Sequence, residues 1–178
     1  MKLFLLATIL NLSLIKDSPS IYEVSVTTAS GKPVMLKEFK GKKLLVIVLP
    51  FTNTSADSSF LHSVDLLSRN NIQKLQVIAV PSVDDGLFKG DLPQRINFYT
   101  SILGSQVIIT TPMYTRKGAG TIQHSLFSWL THKEKNLHFD IDVNGPGDKF
   151  IINESGELVG VFHEDLTIKS KSFARLLQ

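Results

Sequence analysis

The sequence predicts a single α/β domain built around a mixed sheet. The first indication is a strand, a helix and a second strand in close succession, with apolar runs at Lys43–Pro50 and at 76–81 (QVIAVP). An uninterrupted β-branched run is typical of a strand that is covered on both faces. The second indication is KFIINESGELVGVF (149–162), in which two apolar runs flank a glycine-containing turn. That pattern predicts a β-hairpin near the C-terminal end of the domain.

The N-terminal part of the domain is predicted to consist of short strands and turns. The stretch IYEVSVTT (21–28) has strand-forming composition, Ser30–Pro33 has the composition of a turn, and PVMLKEF (33–39) is a second short extended run. The next run, Lys43–Pro50, is longer and contains no polar interruption after its first residue. We therefore expect this strand to be central in the sheet.

The first long helix is predicted over Ala56–Asn70. It follows a group of residues that favour helix N-caps, Thr54, Ser55 and Asp57. Apolar residues then recur at roughly helical spacing: Phe60, Val64, Leu66 and Leu67. Together with the strands on either side, this helix forms a βαβ unit, whose strands are parallel and whose crossover is right-handed.

The second half of the domain is predicted to alternate helices and short strands. A helix is predicted over 93–103, because proline is favoured in the first turn of a helix and Pro93 lies there. The apolar run VIIT (107–110) predicts a short strand. The range Gln123–Lys135 predicts an amphipathic helix with its apolar side chains at Leu126, Phe127, Trp129 and Leu130. After the hairpin, a helix over about Ile168–Leu177 closes the domain.

Composition restricts the chemistry that the chain can perform. A length of 178 residues, 43% of them hydrophobic and 20% charged, suits one globular domain with its own core. The formal net charge of +3 comes from 19 basic and 16 acidic residues, and the basic residues are scattered, so nucleic acid is not the expected partner. The absence of cysteine excludes disulfides, iron–sulfur clusters, thiolate zinc sites and thiol catalysis.

The first twenty residues have the pattern of a secretory signal peptide. A basic residue precedes the apolar run Leu3–Ile15, which is too short to span a bilayer comfortably. Cleavage after Ser20 leaves Ser18 and Ser20 at the small-residue positions of the cleavage site. We therefore expect a secreted or periplasmic domain over 21–178, with no stable membrane anchor. The alternative is that residues 1–20 form an amphiphilic first strand or helix.

The order of these elements resembles that of the thioredoxin-like fold, and specifically that of the glutathione peroxidase family. The resemblance covers nearly all of the chain after residue 20, and it implies a three-layer α/β/α sandwich with a mixed central sheet. It is carried by IYEVSVTTASGKPVMLKEFKGKKLLVIV (21–48), LQVIAVPSVDDG (75–86), TPMY (111–114) with HSLFSWLTHKEKN (124–136), and KFIINESGELVGVF (149–162).

The same resemblance implies a catalytic site whose residues are replaced in this chain. The family reduces hydroperoxides with a cysteine or selenocysteine at the start of the first helix, a glutamine after the next strand and a Trp-Asn pair before the hairpin. The nucleophile position falls on Asn53 when counted forward from the preceding glycine turn, and on Thr54 when counted back from the next strand. The glutamine position falls on Asp84, and the Trp-Asn pair on Gly145 and Pro146.

The missing sulfur removes the family's chemistry. Peroxide cleavage needs a soft nucleophile of low pKa, and a helix N-terminus lowers the pKa of a thiol. A threonine hydroxyl stays protonated at physiological pH and forms no sulfenic acid. Met35 and Met113 lie away from the helix start. We therefore predict a family member without peroxidase activity or cofactor that serves as a binding or interaction module for an unknown protein or small molecule.

Two alternative sites lie at predicted loop positions. Thr54 and Ser55 at the helix start can hold an anion on exposed N–H groups, although helix capping explains both residues equally well. Asp84 and Asp85 follow a parallel strand, at the edge where open α/β sheets bind ligands. Paired carboxylates there suit cation binding or acid–base catalysis, and the ordinary alternative is a solvated turn beside Gly86.

The strongest metal candidate is the segment HFDIDV. His138, Asp140 and Asp142 alternate along it, so their side chains share one face if the segment is extended. His163 and the acidic residues after it, near the end of the hairpin, extend this candidate. Alternation with apolar residues is equally typical of a half-buried strand that keeps its polar face in water. An enzyme of another class, using this group or Asp84 and Asp85, is therefore the alternative to the binding module.

Two further patterns stay open. Pro146 lies within one residue of the position where thioredoxin-like folds place a cis-proline, although Gly-Pro-Gly is also an ordinary trans turn. The five histidines have no nucleophile partner nearby in sequence, and a triad assembled from distant residues is not excluded.

Overall fold

A five-stranded mixed sheet organises the residues that the computed structural model describes, which are 19–50, 54–86, 91–118, 122–163, 168 and 170–177. A separate antiparallel ribbon of two strands precedes it. In chain order the strands are β1 (Ser25–Thr27), β2 (Pro33–Met35), β3 (Lys43–Val48), β4 (Leu75–Val80), β5 (Val107–Ile109), β6 (Lys149–Ile152) and β7 (Leu158–Phe162). The spatial order is β5-β4-β3-β6-β7. β3 is parallel to β4 and antiparallel to β6, which confirms the predicted mixed sheet.

Helices cover both faces of this sheet. They are α1 (Ser55–Asn70), α2 (Leu92–Ile102), α3 (Ser125–Thr131), α4 (Lys133–Asn136) and α5 (Lys171–Leu177). Buried side chains of α1, α2 and α5 pack in one apolar cluster with one face of the sheet. Those of α3 and of the β1–β2 ribbon pack with the other face. This arrangement is the α/β/α sandwich of a thioredoxin-like fold, as the sequence predicts.

The central strand has the burial that its sequence predicts. Leu45 and Ile47 point to the face covered by α1, whereas Leu44, Val46 and Val48 point to the face covered by α3, and all five are 0% exposed. Because successive side chains of a strand point to opposite faces, an apolar residue is needed at every position. The parallel β3–β4 pairing with α1 between the strands confirms the βαβ unit.

The predicted helix over Gln123–Lys135 is instead two short helices. α3 ends at Thr131, and His132 has an extended backbone (φ −107°, ψ 119°) before α4 begins. The Nδ1 atom of His132 lies 3.0 Å from the carbonyl oxygen of Ser128, which the backbone N–H of His132 would contact in a continuous helix. A side chain that competes for a helical carbonyl interrupts the helix, so the single helix predicted from apolar spacing was wrong.

The N-terminal strand prediction was also partly wrong. Residues Ile21–Glu23 form a 3₁₀ turn before β1, and the hydroxyl of Ser20 accepts the N–H of Tyr22 at 3.3 Å. This cap favours a turn over the extended conformation predicted from composition. The predicted signal peptide lies almost wholly outside the described residues. No helix among the residues described here is long and apolar enough to cross a membrane.

The remaining boundaries agree closely with the sequence. The hairpin of β6 and β7 is confirmed, with a register shift between Ile151 and Ile152. α5 begins at Lys171 rather than near Ile168, because Ser170 precedes it and its hydroxyl accepts the N–H of Phe173 at 3.2 Å. No peptide bond within the described residues is cis, so Pro146 is in the ordinary trans form.

The burial of β3 leads to a test of the core. Leu45→Ala removes a fully buried side chain, and we expect the free energy of unfolding to fall by about 2–5 kcal/mol. Leu66→Ala in α1 is the matched control, because Leu66 is 57% exposed and its truncation should change stability by less than about 0.5 kcal/mol. Urea unfolding followed by circular dichroism measures both. Equal losses in the two variants would contradict the assignment of β3 to the core.

Candidate functional site

Thr54, one of the two residues predicted for the position of the family nucleophile, is a helix cap. The hydroxyl of Thr54 accepts the N–H of Asp57 at 3.1 Å, and the carboxylate of Asp57 accepts the N–H of Thr54 at 3.2 Å. This reciprocal pair is a capping box at the start of α1. The Asp57 carboxylate thus lies at the positive end of the helix, where its negative charge disfavours the binding of an anion at Thr54 and Ser55. Asn53, the other candidate for this position, lies outside the described residues.

Asp84 connects two loops rather than forming a solvated turn. It lies in the 3₁₀ turn Val83–Asp85 after β4. Its Oδ2 atom accepts the backbone N–H of Thr115 at 2.6 Å, the hydroxyl of Thr115 at 3.1 Å and the backbone N–H of Arg116 at 2.9 Å. These contacts fix the loop after β5 against the loop after β4. The carboxylate at the family's glutamine position therefore has a structural role.

Asp85 forms a partly buried ion pair with Arg116. The Nη2 atom of Arg116 donates to Oδ1 of Asp85 at 2.5 Å and to the carbonyl oxygen of Asn144 at 2.9 Å. The Asp85 side chain is only 5% exposed, and its Oδ2 atom has no hydrogen bond with any described residue. Burial raises the pKa of Asp85, and this effect outweighs the opposing attraction of Arg116. A Cβ added to Gly145 would lie 3.4 Å from Arg116 Nη2, so this glycine adjoins the ion pair.

A second carboxylate orients a histidine. Asp148 is 1% exposed, and its Oδ2 atom accepts the N–H of Asn144 at 2.7 Å. Its Oδ1 atom lies 3.0 Å from Nδ1 of His163, whose side chain is 40% exposed. The buried ammonium of Lys149 donates to the carbonyl of His163 at 3.1 Å, so the backbone of this histidine is fixed as well. A histidine held at Nδ1 by a carboxylate presents Nε2 as the reactive nitrogen.

These residues belong to one polar network at one edge of the sheet. Ile47 near the end of β3 pairs with Ala79 in β4 and with Lys149 at the start of β6, so the loops that follow β3 and β4 and precede β6 converge. Asn144 connects the Asp85–Arg116 pair to Asp148. Its N–H donates to the Asp148 carboxylate, and its carbonyl accepts a hydrogen bond from Arg116. Asp84 and Gly145, which the sequence predicts at the positions of the family's glutamine and tryptophan, both adjoin Arg116.

The proposed metal group does not converge. Asp140 pairs with the Lys117 ammonium at 2.5 Å, and this hydrogen bond and charge lower the pKa of Asp140. Asp142 instead accepts the backbone N–H groups of Lys117 and Val143. His138 stacks obliquely near Phe139, and the segment forms no strand. Within the described ranges no three histidine or acidic side chains are arranged to hold a metal, so the structure gives no support to the metal candidate at His138, Asp140 and Asp142.

Sequence reasoning missed the most connected residues of the network. Arg116, Asp148 and Lys149 were not candidates, because each makes at least one contact with a residue that is distant in sequence. One signal was present: Asp148 and Lys149 are adjacent charged residues directly before the apolar run of β6. A charged pair at the start of a strand that is buried on both faces must find partners in the fold.

Comparison with known proteins finds similarity to glutathione peroxidase homologs. No family model matches the chain. It is 26% identical over 144 residues to the glutathione peroxidase homolog BsaA of Staphylococcus epidermidis, a match that covers 80% of this chain and 88% of the relative. The identity to the BsaA of Bacillus subtilis is 25% over 146 residues, covering 79% of this chain and 86% of the relative. The chain is glutathione peroxidase-like.

Solved structures agree on the fold. The crystal structure of Trgpx in its apo form has a TM-score of 0.63 and 17% identity, covering 90% of this glutathione peroxidase-like chain and 97% of that one. T. cruzi GPX1 has a TM-score of 0.61 and 22% identity, with coverage of 89% and 97%. A thioredoxin-family thiol:disulfide interchange protein from Chlorobium tepidum has a TM-score of 0.57 and 19% identity, with coverage of 90% and 94%.

The raised pKa of Asp85 predicts a pH-dependent stability. The folded protein keeps the Asp85 proton to higher pH than the unfolded chain, whose reference value is 3.8. The stabilisation from Asp85 is therefore complete below that value and is lost as the pH rises through the folded-state pKa. The quantity to compare is the free energy of unfolding of the wild type minus that of Asp85→Asn. We expect this difference to fall as the pH rises through the folded-state pKa and then to level off. Urea titrations at a series of pH values measure this difference.

Asp140→Asn is the matched control for this measurement. Lys117 lowers the folded-state pKa of Asp140, so the corresponding difference for Asp140→Asn should rise with pH instead of falling. A difference for Asp85→Asn that rises with pH would contradict the dominant effect of burial on the Asp85 carboxyl.

Proposed function

We propose that this glutathione peroxidase-like chain does not reduce hydroperoxides and acts as a binding or interaction module. The observation that carries the proposal is the absence of sulfur at the start of α1 and of cysteine from the whole sequence. The Thr54 hydroxyl accepts a backbone hydrogen bond there, and it cannot take an oxygen atom from a peroxide and later release it. Loss of the nucleophile leaves the fold and its loops available for recognition.

The arrangement of the remaining site residues supports this proposal. Asp84 stands at the family's glutamine position, and its Oδ2 atom accepts three hydrogen bonds from Thr115 and Arg116. Asp85 is paired with Arg116 in a buried position. These side chains fix loops instead of facing a reactive group at Thr54. We propose a protein or a small molecule as the partner, because the basic residues form no stripe suited to nucleic acid.

A peroxide-consumption assay tests the proposal. With hydrogen peroxide or an organic hydroperoxide, and with either glutathione or thioredoxin as reductant, we expect no turnover above the blank, because the chain has no thiol to oxidise. An active glutathione peroxidase in the same assay is the positive control. Turnover well above the blank by the purified chain, abolished by heating, would overturn the proposal.

One observation favours a second candidate function, acid–base catalysis. Asp148 is buried and fixes Nδ1 of His163, so that the ring is oriented as in catalytic histidines that act as general bases. The histidine is 40% exposed and lies in the same polar network as the degenerate family site. Acid–base catalysis by His163 and Asp148 is a form of the carboxylate-based enzyme alternative, and it requires no metal.

Hydrolysis of p-nitrophenyl acetate tests this second candidate. If His163 acts as a base, the wild type should hydrolyse the ester faster than buffer, and His163→Gln should lose most of that excess. Asp148→Asn should lower the rate as well, because it removes the group that orients the ring. His138→Gln is the control, since it removes a histidine outside the network. Equal rates for the wild type and His163→Gln would eliminate acid–base catalysis by this pair.

We further propose that the mature domain is secreted or periplasmic. The support is the apolar run Leu3–Ile15 followed by small residues up to Ser20. Expression in a host with a secretory pathway, followed by mass spectrometry of the purified chain, measures the mature N-terminus. We expect it at or within a few residues of Ile21. A chain that retains Met1 or Lys2 after export would contradict the signal-peptide prediction.

A further inference from the structure

The loop before β6 contains the sequence Asn144-Gly145-Pro146-Gly147. Asn144 is the only asparagine in the chain that is followed by glycine. Because glycine has no Cβ, its backbone nitrogen is the least hindered group for attack on the side chain of the preceding residue. The covalent stability of this asparagine therefore depends on what the fold does with its side chain.

The structure leaves the Asn144 side chain exposed and unrestrained. Its amide makes no hydrogen bond with any residue in the described ranges, and neither does the N–H of Gly145. Two asparagines, Asn136 and Asn153, are instead fixed by several contacts. The amide of Asn136 is buried and donates to the carbonyls of Trp129, Leu130 and Phe139. The Oδ1 atom of Asn153 accepts the N–H groups of Ser155 and Glu157.

The neighbouring charges favour reaction at this peptide. Arg116 donates a hydrogen bond to the carbonyl oxygen of Asn144, at 2.9 Å. That carbonyl and the Gly145 nitrogen belong to the same peptide group, so a cationic donor on the oxygen withdraws electron density and makes the N–H more acidic. The deprotonated nitrogen is the species that attacks a side-chain amide. Arg116 therefore promotes the first step of the reaction.

We propose that Asn144 is a site of spontaneous deamidation. The Gly145 nitrogen loses its proton to solvent base and forms a bond to Cγ of Asn144, the Cγ–Nδ2 bond breaks, and ammonia leaves with a proton from water. The product is a five-membered succinimide. Water then adds to one of the two ring carbonyls and a ring C–N bond breaks, which gives aspartate or isoaspartate. The sequence of steps consumes water only and involves no change of oxidation state.

The modification changes the polar network in two ways. It adds a carboxylate close to the buried carboxylates of Asp85 and Asp148, and it lowers the formal net charge of +3 by one. Isoaspartate also carries the backbone through Cβ and Cγ, which inserts one methylene between the N–H that Asp148 holds and the peptide bond to Gly145, and it turns the carbonyl that Arg116 holds into a free carboxylate. Both contacts then no longer fit together. We expect the modified chain to melt at a lower temperature than the unmodified one.

Peptide mapping by mass spectrometry tests the proposal on the folded full-length chain. The chain is incubated at mildly alkaline pH and at a roughly physiological temperature of about 37 °C. Asn144 should convert to aspartate or isoaspartate at least about tenfold faster than Asn136 and Asn153. These two asparagines are the internal controls. Asn144→Gln should accumulate no acidic isoform on ion exchange, because its longer side chain closes a less favourable ring. Conversion of Asn144 no faster than that of Asn136 would overturn the proposal.

A second measurement tests the structural consequence. The acidic isoform is separated by ion exchange and its melting temperature is compared with that of the unmodified chain and of Asn144→Asp. If the melting temperature falls further in the isoform than in Asn144→Asp, the result supports an effect of the inserted methylene. The variant adds only the charge. Identical melting temperatures for all three would show that the network tolerates the modification, contrary to the proposal. Neither measurement depends on whether the chain binds a partner.

Discussion

Burial of β3 on both faces is the constraint on which the rest of the structure depends. A strand in the middle of a sheet must pair its backbone N–H and carbonyl groups on both sides, because water is not available to them. Here β4 supplies one side and β6 the other. Since both faces of β3 are apolar, helices must cover each of them. The parallel partner requires the crossover helix α1, and the antiparallel partner arrives as one arm of a hairpin.

This arrangement also determines where the polar residues can lie. The ends of β3 and β4 and the beginning of β6 meet at one edge of the sheet, and the loops there bring Asp85, Asp148 and Arg116 together. A buried carboxylate is costly unless it is hydrogen-bonded or paired. Asp148 meets this requirement with a backbone N–H and a histidine, and Asp85 meets it in part with Arg116. Hydrogen bonds between the loops therefore occupy this edge of the sheet.

The parts of the fold that follow from local pattern could be predicted from the sequence. The continuous apolar run of β3, the capping group at Thr54 and the hairpin all depend on residues that are close in sequence. The break at His132 could not be predicted, because the polar residues after Leu130 are compatible with the exposed end of a single helix, and only the contact of the ring with Ser128 shows the competition. Arg116 and Asp148 were missed because Arg116 has its partners in other loops and the histidine partner of Asp148 follows the hairpin. The pairing of Asp140 was missed for the same reason, since its partner Lys117 lies 23 residues away.

The polar network ties together segments that the sheet alone leaves apart. Asp84 and Thr115 are 31 residues apart, and Arg116 and Asn144 are 28 apart, so each contact closes a loop of the chain. Loop closure costs conformational entropy, which the contact that closes the loop must offset. The loops at this edge are therefore restrained by side-chain hydrogen bonds in addition to strand pairing.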